Sequence, residues 1–376
     1  MDHPNLFQEE LGMSSKYDES WTMFRGNPRR TGSLRTRPLI RPLLYWTIKL
    51  GPIISSPASE SGFLYVATIT GRIFCLDILR REIKWHQNVG SPIVSSPLIM
   101  DDMIVCATYD SWINADSLEN NFVYYLDKND GNVICRVQMR GNFFSSPCPA
   151  GKNIALGSMD NNLYLLSSSG EIIWNFETKG QVWSSPSYHE NIFYFGSDDG
   201  YVYSVDADGS LRWKSKLNGK IRSSSPCVSE NSVFVGTYEG GIYCLNNMDG
   251  ITKWNKNVSK PVLSSPLLVK DKVMIGTSDC TLYCFNLIGS KIWAFETVGK
   301  IWSSPSYSTF DRMMFFGGLD SFIYGINPST GKLEWKFPTM GAIDSSPCIS
   351  NGMLFIGSRD GVLYCFERYR DPSYIH

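Results

Sequence analysis

The chain has 376 residues, 43% of them hydrophobic and 19% charged, with a formal net charge of −1. That balance gives no basic excess to hold a nucleic-acid backbone. No run approaches the roughly 18 apolar residues that suggest a membrane span, so neither a nucleic-acid partner nor a span is expected.

The first twenty residues are polar and acidic and contain no apolar stretch of the kind a secretory signal needs. The cytoplasm is therefore the expected compartment. Residues 42–370 read as one repetitive domain, 1–41 as an N-terminal extension packing on that domain, and 371–376 as a tail.

Ser-Ser-Pro recurs along that domain, ending at Pro57, Pro97, Pro147, Pro186, Pro226, Pro266, Pro305 and Pro347. The spacings are 40, 50, 39, 40, 40, 39 and 42 residues. A period of that size marks one supersecondary unit stacked many times. Each unit reads as four short strands. The first comes directly after the Ser-Ser-Pro. The second is an apolar run ending in Gly or Ala, such as 153–157 or 353–357. A turn rich in Asp, Asn and Gly leads to a third strand with an aromatic, among them Phe74, Tyr164, Tyr203 and Tyr364. The fourth carries Trp46, Trp85, Trp174, Trp213, Trp254, Trp293 or Trp335, with Cys135 in that place in unit two.

Short β-branched and aromatic runs between turn residues are strands. Four antiparallel strands per roughly 40 residues describe a propeller blade. The last unit ends without a Trp strand, and the Trp strand at 43–50 precedes the first Ser-Ser-Pro. Pairing them closes the ring. The expected fold is all-β: an eight-bladed β-propeller closed by one N-terminal and three C-terminal strands. Closure removes the open edges of such an array.

The ten cysteines include two sets at equivalent repeat positions: Cys75, Cys244, Cys284 and Cys365, then Cys148, Cys227 and Cys348. Equivalent positions in different blades lie too far apart to pair easily. They read as buried free thiols. No CxxC pair suggests a structural zinc site.

The unit has the form GxIxSSPxxxxxxxxxGSxDGxLYxxDxxxGxxxW, which resembles the PQQ-type, quinoprotein-like propeller repeat over about residues 42–370. The segment Trp21-Thr22-Met23-Phe24-Arg25-Gly26, with Thr31-Gly32, resembles the WxxFRGxxxxTG stretch that often precedes such rings. The family includes PQQ-dependent dehydrogenases, the lipoprotein propeller of the outer-membrane β-barrel assembly machine and many uncharacterised proteins. The resemblance is to the uncharacterised cytoplasmic members. The dehydrogenases carry an adjacent Cys-Cys pair and a calcium site with acidic ligands. This chain has no Cys-Cys dipeptide, and the calcium ligands do not map onto it. No cofactor, PQQ included, and no metal are expected.

The resemblance implies a site on the face formed by the loops entering each first strand and by the turns between strands two and three. That face is the top. On it, the position two before each Ser-Pro pair varies most: Ile54, Val94, Phe144, Trp183, Ser223, Leu263, Trp302 and Asp344. The residue before it is apolar except for Arg222 in unit five. Alternation along a strand sends neighbours to opposite faces, so the constant position reads as core and the variable one as channel lining. Unit five has an additional serine, which is expected to displace Arg222 into the mouth beside Asp344. The turns contribute Tyr109, Tyr238 and Arg359, and the acidic residue after each reads as a turn former. A ten-residue insertion in unit two, containing Trp112, is read as a lid.

Aromatic surplus at a mouth suits an aromatic or cationic ligand. The expected function is binding of a hydrophobic or aromatic small molecule or peptide in this funnel. One alternative is a cofactor-free cyclase, isomerase or lyase, with Asp344 as acid or base and Arg222 as anion clamp. Another is a scaffold for a protein partner. No Walker loop, HExxH or GxSxG motif is present.

Overall fold

Strand-forming runs of two to eight residues, cut by turns, dictate the architecture of the computed structural model, which describes residues 20–36, 39, 41–110, 121–309 and 313–368. Eight antiparallel sheets surround a central axis. In the first blade the strands are Ala58–Glu60, Phe63–Ala67, Arg72–Asp77 and Glu82–Asn88, paired in that order. In the last, Cys348–Ser350, Met353–Gly357 and Val362–Arg368 are joined by Pro42–Lys49 on the outside. The register runs from Pro42 opposite Arg368 to Lys49 opposite Val362. The ring thus closes with one N-terminal and three C-terminal strands, as the repeat register implies.

The two middle strands of each blade are buried, as in Leu64, Val66, Phe74 and Leu76. Outer strands alternate between exposed and half-buried residues. The core therefore lies between blades rather than within them, and burial there stabilises at about 25 cal/mol per Å². The outer tryptophans complete it. Trp85 Nε1 donates to Lys128 O, Trp174 to Ala207 O, Trp213 to Asn247 O and Trp254 to Leu287 O, each in the next blade. The indoles lie against turn glycines such as Gly209 and Gly250. Both have positive φ, and an added Cβ would meet the ring. Cys135 keeps to the same plan in miniature, reaching Ser169 O at 3.6 Å. The seven cysteines at the two equivalent repeat positions are buried and free, and Cys135 is free and half-buried.

The acidic turn residues serve their turns. Asp199 accepts from Tyr201 N and the Tyr203 hydroxyl, and Asp360 from Val362 N and the Tyr364 hydroxyl. Their second oxygens also reach backbone in the loop that enters the same blade, Lys179 N and Met340 N respectively.

The Ser-Ser-Pro itself has two structural tasks. The first serine clamps its own second strand: Ser145 Oγ accepts from Gly157 N, and Ser184 Oγ from Gly196 N. The second serine links neighbouring blades. Ser56 N donates to Ser96 Oγ, Ser96 N to Ser146 Oγ, Ser146 N to Ser185 Oγ and Ser185 N to Ser225 Oγ. The series continues through Ser265, Ser304 and Ser346, and Ser346 N donates to Ser56 Oγ. The eight bonds, 2.8–3.0 Å long, form a closed belt around the axis.

A belt serine replaced by alanine leaves a buried amide without an acceptor, which costs about 1–3 kcal/mol. Ser185→Ala is expected to lower the thermal midpoint clearly, whereas Ser168→Ala in an exposed turn leaves it in place. Equal midpoints for the two variants would show that the belt bond contributes nothing.

Candidate functional site

The lower end of the channel is filled by the N-terminal segment. Its backbone bonds to the first strands of successive blades: Trp21 N to Ser59 O, then Ile99 N to Thr22 O, Tyr188 N to Pro28 O and Val228 N to Arg29 O. Leu268 N and Tyr307 N come next, on Thr31 O and Gly32 O. Residues 33–34 add a short parallel strand beside Tyr307 and Ser308. The segment thus covers the bottom face.

Two arginines rise from it into the axis. Arg25 and Arg30 are 1% and 0% exposed. Neither has a carboxylate partner among the described residues. They donate instead to carbonyls that the Ser-Ser-Pro turns point inward. Arg30 reaches Pro186 O at 3.1 Å, Ser146 O at 3.0 Å and Pro147 O at 2.9 Å. Arg25 reaches Pro266 O at 2.7 Å and also Pro305 O. Burial pushes the Arg25 guanidinium down to about 9 and lowers Arg30 as well; arginine stays protonated in proteins. The Phe24 ring covers Arg30, 5.3 Å from its guanidinium carbon.

Above Phe24 and the belt lies a cavity of about 320 Å³. Eight side chains, one from each loop above the belt, ring it: Ile54, Val94, Phe144, Trp183, Arg222, Leu263, Trp302 and Asp344. The variable position of the repeat is therefore the channel lining, as alternation implies. The constant position is core: Ile53, Phe143, Val182, Ile301 and Ile343 are fully buried.

Unit five departs from the sequence reading. Ile221, not Arg222, takes the core position, fully buried against Gly196 of the preceding blade. Arg222 then falls in register with Trp183 and Trp302, and Ser223 is the additional residue. An extra serine in a serine run does not reveal on which side the gap lies.

Arg222 enters the mouth as expected, but it does not pair with Asp344. Asp344 binds Arg359, with Nε to Oδ2 at 2.5 Å and Nη2 to Oδ1 at 2.8 Å. That hydrogen bond holds the Arg359 guanidinium above its ordinary value. Arg222 pairs with Asp198, its Nε 3.2 and 3.3 Å from the two oxygens. Burial pushes the Asp198 carboxyl up, while Arg222 beside it pulls the other way. Each partner comes from the strand-two to strand-three turn of a blade at the same height. Asp198 and the plug residues Phe24, Arg25 and Arg30 are the participants that sequence reasoning does not assign to the site. The WxxFRG segment is the available signal for the plug.

Arg222 also lies between two rings, 5.3 Å from Trp183 and 4.8 Å from Tyr238. Trp183 packs on Phe144 at 5.5 Å and donates to Gln181 Oε1. Trp302 donates to Ser278 Oγ at 3.2 Å. A side cavity of about 270 Å³ shares Tyr238, Leu263 and Trp302 and adds Lys260 and Lys300. Tyr109, expected at the mouth, is buried and is not among the lining residues. Trp112 and its loop lie outside the described residues. Away from the funnel, His189, Glu190 and Glu230 bring possible metal-ligand atoms within 4.8 Å of one another, but Arg29 already holds Glu230 at 2.6 Å.

The sequence profile described as the β-propeller of beta-alanine-activating enzyme matches residues 151–343, more than half of the chain. The chain belongs to this PQQ-like propeller family. A second family profile, described as outer membrane protein assembly factor BamB, matches residues 29–118. The human beta-alanine-activating enzyme is 31% identical over 80 residues, which is 20% of this chain and 7% of that protein. The chain therefore spans only a small part of that relative's length. Among solved structures, BamB from Moraxella catarrhalis superposes with a TM-score of 0.74 at 18% identity, covering 88% of this chain and 98% of that one. A europium-containing methanol dehydrogenase superposes at 0.78 with 12% identity, covering 96% and 100%. At these identities the two structures share the propeller fold with this family member.

The two kinds of arginine should respond differently to substitution. The Asp344 side chain is 8% exposed, but its partner Arg359 is 47% exposed and keeps access to water when the pair is broken, so Asp344→Asn is expected to cost about 1–2 kcal/mol of unfolding free energy. Arg30→Ala strips donors from three buried carbonyls of the ring and is expected to cost at least about 3 kcal/mol. Urea denaturation of both variants checks the contrast.

Proposed function

We propose that this propeller is a ligand-binding module, and that the top-face funnel takes a small molecule or peptide end with an aromatic or hydrophobic body. As a β-propeller the chain is a binding or interaction scaffold in general terms. The observation that favours the funnel is the ring above the belt. The scaffold fixes eight positions there, and the sequence fills them with two tryptophans, a phenylalanine, three aliphatic residues and two charges already engaged by partners. Apolar concave walls with few polar anchors are the usual composition of a small-molecule site.

The enzyme reading with Asp344 as acid or base has less support. Both of its oxygens are occupied by a bidentate guanidinium, which favours the ionised acceptor over a proton carrier. The scaffold reading keeps the same face but leaves the cavity without a use.

A thermal-shift screen of aromatic and aliphatic metabolites tests the funnel. A stabilising hit is expected to lose ten-fold or more in affinity in Trp183→Ala and Trp302→Ala, since each removes a stacking wall. Absence of any ligand-induced shift would sink the funnel and leave a protein-interaction scaffold.

A further inference from the structure

The belt hydroxyls have a capacity that the fold does not use. Each second serine accepts one amide proton from the neighbouring blade, yet none of them donates its own hydroxyl proton to a described residue. Six of them, Ser56, Ser96, Ser146, Ser185, Ser304 and Ser346, line the floor of the funnel. They are 3–5% exposed. The floor is therefore a circle of buried O–H donors converging on the axis.

The charge beneath them has one sign. Arg30 lies under Phe24 beside Pro147 and Pro186, and Arg25 reaches Pro266 and Pro305 on the other side of the ring; both guanidinium groups are compensated by carbonyl dipoles and, among the described residues, by no carboxylate. A buried charge without a counter-charge is expensive in a low-dielectric interior. The carboxylates higher up do not offset it, because Asp198 and Asp344 are each held by an arginine of their own. Negative charge entering the cavity is therefore best placed at its lower end, where donors and field agree.

Resting on the funnel reading above, we infer that the ligand is an organic carboxylate that enters head-first: its anionic group hydrogen-bonds the serine belt over Arg25 and Arg30, and its apolar or aromatic body stays between Phe144, Trp183 and Trp302. The assignment predicts polarity along the ligand as well as its class. A cationic head would face two buried guanidinium groups of its own sign.

Three probes of the same shape test it on the full chain by titration calorimetry: 2-naphthoate, its methyl ester and 2-naphthylmethylammonium. The carboxylate is expected to bind at least ten-fold more tightly than the ester, with the ammonium weakest. In Ser146→Ala, confirmed as folded by circular dichroism, the carboxylate is expected to weaken three-fold or more while the ester is unchanged. The wild-type series stands by itself if that variant does not fold. An ester equal to or tighter than the carboxylate overturns the head-group assignment and leaves the funnel intact. So does a carboxylate preference that survives Ser146→Ala but is lost in Arg222→Met, since the head would then sit at the rim. Failure of all three probes to bind overturns the funnel reading and the inference with it.

Discussion

Eight hydrogen bonds from backbone amide to serine hydroxyl, arranged head to tail around one axis, set the terms for the rest of this molecule. A closed belt accepts only one geometry per blade. Every unit must bring a hydroxyl and an amide to the same height, at the same angle to its neighbours. That requirement explains why Ser-Ser-Pro is the part of the repeat that tolerates least change. The first serine holds the second strand, the second serine holds the next blade, and the carbonyls of Pro147, Pro186, Pro266 and Pro305 turn to the plug arginines. The outer tryptophans perform the matching task at the perimeter. Between the two rings of contacts the blades pack as a continuous core.

Rigidity at the belt is what releases the positions above it. Ile54, Val94, Phe144, Trp183, Arg222, Leu263, Trp302 and Asp344 face the cavity, outside the belt. Their side chains are therefore open to selection for what they meet in the cavity. The two charged members are tethered by partners from turns rather than by each other. Each pair stays at its own sector of the wall and leaves the middle of the funnel to apolar surface. The plug completes the vessel from beneath, and it stands outside the repeat.

That division also explains what can be read without coordinates. Repetition displays structural constraint eight times over, so blade number, strand order, the clasp and the lining positions are all legible. Constraint that occurs once is not displayed. The sequence reading places Arg222 in the mouth, where it lies, but gives Arg222 the core register and Ser223 the lining one, because Ser223 to Ser225 give no sign of which serine is extra. Arg222 is set beside Asp344 there because the extra serine moves it into the same mouth. The actual partner of Asp344, Arg359, lies across a turn, and the direction of a long side chain is not encoded in spacing. Tyr109 occupies a variable turn position yet packs inward. The plug is visible as a motif, but its face is not, because a segment without periodicity carries no register.

The clasp has a consequence in time. Within this chain Pro42–Lys49 leaves the ribosome early, and its partner Val362–Arg368 more than three hundred residues later. The belt bond from Ser346 to Ser56 spans nearly the same distance. At biosynthetic rates of about 5–20 residues per second, that early strand waits on the order of tens of seconds with an unpaired edge. An exposed edge is a template for wrong pairing. Seven blades can form in order as they emerge, while the eighth exists only once both ends are available. The nascent ring is therefore an open arc for most of its synthesis, and the step that completes the fold is a long-range search rather than a local event.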